Sequence, residues 1–355
     1  MICRFKNVAI SAISTYLPPD VLEMDTLSEL FGIDKVKVIR NATGVDRVHV
    51  AAPDQTASDE CFEAAQLLFE KEGLDRESVN GLVFVSQTFD YIAPATSVIL
   101  QDRLQLSQET VCFDVSYGCS GYINGVYLAA SMIASGSCDK VLLLAGDTTT
   151  KMINERDRSH RMVFGDCGSA TLLERTEGKE MCVHLCTNGA EHKSVIVPAG
   201  GFRMPSTAAT AEEHTDSDGN IRSLDNLYMD GLAVFNFIVK DGSKSIRTLL
   251  DYVGWTIEDV DFFALHQATK FTFNHLKKKL KIKTDNAPLN LGNYGNTGPT
   301  SVPLVITDTR HNESGYDTSK YKRVVMSAYG IGLSWGSIAC DLSDTRIYRP
   351  INQSV

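Results

Sequence analysis

The feature that most restricts what this chain can fold into is an internal repeat. Gly118-Cys119-Ser120-Gly121 aligns with Gly295-Asn296-Thr297-Gly298 at an offset of 177, and each tetrapeptide opens a segment of helix length. Phe84-Val85-Ser86-Gln87-Thr88 aligns with Ala264-Leu265-His266-Gln267-Ala268 at an offset of 180, and Val141 to Gly146 with Val324 to Gly330 at about 183. Three matches in one order at nearly one spacing predict two similar halves, residues 1–175 and 176–355, joined near residue 175. Polar residues at equivalent strand ends then converge where the halves meet, a usual place for a pocket.

Between the repeats, strand-like and helix-like runs alternate. Gly81 to Ser86, Val111 to Val115 and Val141 to Ala145 are aliphatic or β-branched runs, and Ser58 to Glu72 and Tyr122 to Ser135 carry helical patterns. That rhythm predicts an α/β architecture of buried sheets covered by helices. Residues 206–226, rich in Thr, Asp, Glu and Ser, read as a polar insertion on the surface of the second half.

Composition removes several function classes. With 43% hydrophobic and 22% charged residues the chain is of globular type. Its net charge of −10 argues against nucleic acid as a partner. No apolar run approaches the 18 or more residues of a membrane-spanning helix, and the first residues lack a signal-peptide core. Nine cysteines without paired spacing, save Cys182 and Cys186, point to a reduced, cytoplasmic protein.

Three residues carry the chemistry. Cys119 follows the strand Val111 to Val115 and opens an apolar helix, where unpaired backbone N–H groups and the helix dipole favour thiolate. Elsewhere a cysteine is usually a small buried hydrophobe. His266 stands at the end of the strand Asp261 to Leu265, a better place for chemistry than mid-strand, although a structural role weighs equally. Asn296 alone reads as a turn residue; only the repeat lifts it, by placing it where the other half has Cys119. A thiol nucleophile with an imidazole and an amide, two donors for a carbonyl oxygen, forms a coherent set. Cysteine proteases also use Cys, His and Asn, and the Cys119 to His266 spacing of 147 residues suits them. Against that reading stand the absent protease surroundings of Cys119 and the duplicated architecture.

Other strings are weaker. Phe164 to Ser169 and Tyr329 to Gly336 lack the spacing of phosphate loops, and Gly330 to Gly332 reads instead as a tight loop with a backbone N–H facing the pocket. Lys277, Lys278, Lys279, Lys281 and Lys283 are either a solvated helix end or a docking patch for an acidic partner near the pocket mouth.

Together these motifs resemble the thiolase superfamily, and most closely β-ketoacyl-acyl-carrier-protein synthase III. The resemblance is carried by Thr43-Gly44-Val45 with Ala51-Ala52-Pro53, Gly118 to Gly121, Phe164-Gly165-Asp166, His266-Gln267-Ala268, Tyr294 to Thr297 and Gly330 to Gly336, over nearly the whole chain. It implies a thiolase-like fold in which duplicated halves form a five-layer α-β-α-β-α sandwich. It also implies a homodimer paired through the strand Val111 to Val115, with no cofactor and no metal. The implied reaction is a decarboxylative Claisen condensation. Cys119 takes an acyl group from a thioester primer, His266 and Asn296 hold the thioester carbonyl of malonyl-acyl-carrier-protein, and the backbone N–H groups of Cys119 and Ile331 form the oxyanion hole. By the same resemblance Arg158, Arg40, Ala93, Met229, Phe235 and Gly332 are substrate-binding positions, and Val234 to Ile238 is a buried helix near the substrate tunnel.

Departures from the family pattern sharpen the expectation. Val38 and Ala42 stand where the family has a Trp and an Arg on its primer-binding face, with Arg40 nearby and Arg158 kept. This weighs against coenzyme A as the acyl donor and for an acyl carrier protein delivering both substrates. Ala93 replaces a bulky aromatic that reaches into the partner's acyl pocket, which predicts primers longer or more branched than acetyl. Thr269 replaces the Asn that usually follows His-Gln-Ala. An acyltransferase with a non-malonyl acceptor is the alternative within the fold, and a scaffold subunit without turnover is the alternative outside catalysis.

Overall fold

The structure, a computed structural model, describes residues 1–308 and 319–353. In chain order the first half runs β1 (Ile2–Tyr16), α1 (Ile33–Thr43), α2 (Ala57–Glu72), β2 (Gly81–Val85), α3 (Thr96–Arg103), β3 (Val111–Val115), α4 (Gly121–Ala134), β4 (Lys140–Asp147) and β5 (Cys167–Thr187). The second half continues α5 (Gly231–Phe237), α6 (Ser243–Val253), β6 (Phe262–Leu265), α7 (Lys270–Leu280), α8 (Ser301–Asp308), β7 (Val324–Gly330) and β8 (Ser334–Cys340).

The repeat predicted from the sequence is present as repeated strand pairing. β2 lies parallel to β4, which lies antiparallel to β5; β6 lies parallel to β7, which lies antiparallel to β8. The duplication is incomplete, however. β3 pairs parallel with β2 at the edge of the first sheet, whereas no strand among the described residues takes that place beside β6.

Two long strands join the halves. β1 runs antiparallel to β5, pairing Val8 to Tyr16 with Arg175 to Gly168 in the first sheet and Ile2 to Lys6 with His184 to Glu180 in the second. The register shifts between Lys6 and Val8, where Asn7 and Gly178 take the left-handed backbone at φ 57° and 78°. This bulge lies inside a strand pair that runs unbroken from one ladder into the other.

The layers follow from which side chains each strand sends to which face. Leu82 and Phe84 pack with Leu142, Leu144 and Leu68 of α2 in one core, while Val83 and Val85 turn the other way, toward Ile123 and Val126 of α4 and Val305 of α8. On the far face of the second sheet, Phe263, Leu265 and Val325 meet Ile246 of α6 and Leu276 of α7. The order is therefore α2, first sheet, α4 with α8, second sheet, α6 with α7, which is the expected five-layer sandwich. β2 and β4 are buried on both faces, as their near-continuous apolar runs require.

The polar insertion folds back on the molecule. It contains a short ladder of His214–Thr215 with Ile221–Arg222, and Arg222 reaches the buried Asp157 at 2.9 Å and Asp216 at 2.8 Å. Among the described residues no helix is long and apolar enough to cross a membrane.

Candidate active site

The ends of equivalent strands meet between the halves. Cys119 lies in the turn before α4, and His266 directly follows β6, its backbone N–H donating to the Ser327 carbonyl at 2.8 Å. Asn296 is fixed by its own N–H to the Val163 carbonyl at 2.8 Å and by accepting from Gly165 at 3.1 Å. All three side chains line one apolar cavity that also contains Asp147 and Tyr329.

Orientation follows from the hydrogen bonds. The Asn296 Oδ1 accepts the Gly298 N–H at 3.0 Å, which leaves its amide N–H groups to act as donors. His266 is buried and its Nδ1 has no hydrogen-bond partner among the described residues. Burial holds its pKa down at about 3, so the ring is neutral. A neutral imidazole has one N–H and one bare nitrogen, and it is the Nε2–H tautomer that makes this ring a donor from Nε2.

Burial also decides the state of the thiol. It pushes Cys119 up to about 12, with Asp147 adding to the rise and the Cys119 backbone N–H and Asn296 working against it. The expectation of a thiolate at a helix N-terminus is therefore corrected. The dipole acts at the first turn and is worth about 0.3–1 kcal/mol, and desolvation of the charged form outweighs it. The resting site pairs a neutral thiol with a neutral imidazole. Behind them the buried Asp147 accepts from the Gln87 N–H at 2.6 Å and the Ser86 hydroxyl at 2.9 Å, yet burial still raises it to about 7.

Comparison with known proteins gives this geometry its context. Models of 3-oxoacyl-[acyl-carrier-protein] synthase III and of its C-terminal part match residues 113–189 and 250–342. The chain is 30% identical over 340 residues to the β-ketoacyl-[acyl-carrier-protein] synthase III of Caldanaerobacter subterraneus, covering 94% of this chain and 98% of that one. The chain belongs to the synthase III family. It is an acyltransferase of the condensing-enzyme type. Among solved structures, a 3-oxoacyl-(acyl-carrier protein) synthase from Burkholderia xenovorans aligns with TM-score 0.91 and 32% identity over 99% of this chain and 98% of that one. The synthase III of Pseudomonas aeruginosa aligns at 0.80 and 28%, over 95% and 98%.

The structure brings together only part of the residues that the likeness to the synthase III family assigns to the site. Met229, Gly330 and Ile331 line the cavity, and Gly332, next in the chain, does not. Val234 and Ile238, four apart on one helical face, also line it, but Phe235 points elsewhere, its ring tilted against Phe271 and edge-on to His275. Ala93 lies on an exposed turn outside this chain's cavity. Arg40 is held by Asp25 and Asp46 at 2.7 and 2.6 Å, and Arg158 by the Asp218 carbonyl of the insertion; neither reaches the cavity. The lysine run closes α7, with Lys277 to Lys279 about 10–14 Å along the axis from Lys270 at 1.5 Å per residue. Lys277 is half-buried over the Phe273 ring, while Lys278, Lys279 and Lys281 are exposed. Asp147 and Tyr329 were missed, although Asp147 ends an apolar strand just as His266 does.

Proposed function

We propose that Cys119 is the acyl-carrying nucleophile of a decarboxylative condensation, with His266 and Asn296 as paired donors to the malonyl thioester. The observation that supports this reading is that Gly298 holds the Asn296 Oδ1, leaving its amide N–H groups to the cavity, and that His266 lines the same cavity as the thiol, where its Nε2–H tautomer supplies the second donor. In the first step the sulfur attacks the primer thioester, and the departing carrier thiol takes the proton. The malonyl carboxyl bond then breaks, carbon dioxide leaves, and the electron pair becomes an enolate whose oxygen the two N–H donors stabilise. The carbanion attacks the acyl-Cys119 carbonyl. The oxyanion is held by the N–H groups of Cys119 and Ile331, and collapse releases a 3-oxoacyl thioester and the cysteine sulfur, which regains a proton.

Acyl carrier protein is the partner, and it delivers the primer as well as malonate. The support is the altered primer-binding face, with Val38 and Ala42 in place of the family's Trp and Arg, and the two nearby cations, Arg40 and Arg158, already held within the chain. Lys278, Lys279 and Lys281 remain available to an acidic carrier. Ala93 in place of a bulky aromatic supports primers longer or more branched than acetyl. A homodimer formed through β3 is supported by its unpaired edge, where Val111 and Phe113 are 43% and 45% exposed; Ala93 would then face the partner. Nine free cysteines suit a reducing cytoplasm.

The test is intact-mass spectrometry after incubation with acyl-coenzyme A and acyl-carrier-protein donors, followed by malonyl-acyl-carrier-protein, with Cys119→Ala as control. The expected result is an adduct from the carrier-protein donor that requires Cys119 and is discharged with release of carbon dioxide. An adduct indifferent to malonyl-acyl-carrier-protein would assign an acyltransferase with another acceptor instead.

A further inference from the structure

Two buried polar atoms at the site have no partner among the described residues: the Nδ1 of His266 and the hydroxyl of Tyr329. They belong to neighbouring rings. The centroids are 6.0 Å apart and the planes meet edge-on at 74°. Tyr329 is 2% exposed and borders the same cavity as Cys119. Its seat is made for a ring, because Gly242 lies against it and a β-carbon there would come within 2.9 Å of Cδ1. A buried hydroxyl in such apolar surroundings costs stability unless something accepts its hydrogen bond. His266 has the complementary deficit, an acceptor nitrogen with no donor.

We propose that Tyr329 is a positioning residue for His266, its O–H donating to Nδ1 once substrate fills the cavity. The donation keeps the imidazole proton on Nε2, where it is needed for the thioester oxygen, and holds the ring plane against rotation. No covalent step is added; one hydrogen bond forms, and the proton stays on the phenol. The proposal rests on the reading of His266 as a donor to the malonyl thioester.

Tyr329→Phe removes the hydroxyl and keeps the ring. Carbon dioxide release from malonyl-acyl-carrier-protein is expected to fall about tenfold further than acylation of Cys119 does, the loss being in kcat more than in KM. A second readout uses protein carrying 15N-labelled histidine, acylated on Cys119 and bound to a pantetheine amide analogue of the malonyl thioester. The His266 Nδ1 resonance is expected upfield, as for a nitrogen accepting a hydrogen bond, and is expected to return downfield in the variant. Equal loss of both half-reactions together with an unmoved resonance would overturn the proposal. His266→Ala separates the two readings: if it abolishes decarboxylation while Tyr329→Phe does not slow it, only the Tyr329 proposal fails. If His266→Ala leaves decarboxylation intact, the underlying assignment of His266 fails too.

Discussion

A β-carbon on Gly330 would lie 2.6 Å from the Cβ of Cys119 and 3.3 Å from its sulfur. The end of β7 and the turn before α4 come from different halves of the repeat, so the nucleophile is set by contact across the junction and not by its own half alone. This also shows why position 330 is glycine: the contact has no room for a methyl group.

Gly330→Ala tests that contact. The added methyl has to push the Cys119 turn away, and a displacement near 1 Å from attack geometry costs about 10²-fold in rate. Overpacking of this kind costs about 1–3 kcal/mol of stability, so the protein should stay folded. A time course of Cys119 acylation by intact mass, with melting temperature alongside, is the measurement. Acylation within twofold of the parent would show that the turn yields freely.

Asn296→Asp is the sharper probe of the second donor. An aspartate can still accept the Gly298 N–H but has no N–H to give, and its charge faces the place where an enolate forms. Removing one such donor costs about 10²–10³-fold. Carbon dioxide release from malonyl-acyl-carrier-protein is expected to fall by that amount, with acylation of Cys119 less affected. A variant that decarboxylates at the parental rate would remove Asn296 from the donor pair.

The sequence disclosed the fold where it was repetitive and the site where strand ends coincided. The aligned strand runs led to both sheets, and the aligned turns led to Cys119 and Asn296, because both depend on local patterns repeated at a constant offset. What escaped were the features that depend on contact between distant segments. Nothing near Arg40 indicates that Asp25 and Asp46 will bind it. Whether Val234 or Phe235 faces the cavity turns on helix phase, which an apolar run such as Val234 to Ile238 does not specify. The rise of the Cys119 pKa also depends on burial by residues of the other half, which a reading of the helix start alone cannot include.

Glu60 gives a pH-dependent prediction. Its side chain on α2 is wholly buried, and neither carboxylate oxygen has a partner among the described residues. Burial raises its pKa well above the carboxylate range, with Asp166 and Asp147 adding to the rise. The unfolded carboxyl loses its proton near about 4.3, whereas the folded one keeps it. Over that interval the folded state binds the extra proton, so stability falls as pH rises, by up to about 1.4 kcal/mol per pH unit. The contribution is complete below the unfolded value and is lost as pH approaches the raised folded value. Glu60→Gln retains a neutral side chain at every pH. Its melting temperature relative to the parent should therefore climb as pH rises above the unfolded value, and a difference that does not change with pH would refute the assignment.

The wall formed by Val234 and Ile238 should set the length of the acyl group. Both face the cavity from the same side of the helix that runs into the turn Ile238–Gly242, and Leu227 and Met229 also line it. Val234→Trp fills space that a longer primer would occupy and leaves Cys119, His266 and Asn296 in the sequence. Each methylene denied burial forfeits about 0.8 kcal/mol, or about fourfold in kcat/KM. Longer donors are thus expected to lose progressively more than short ones, while acetyl transfer is nearly retained. Competition among donors from acetyl to dodecanoyl, read as the mass distribution of adducts on Cys119, measures this directly. Ile238→Ala should move the distribution the other way. If Val234→Trp lowered all chain lengths by one common factor, the cavity wall would not be the ruler, and the primer would have to run along a different path from Cys119.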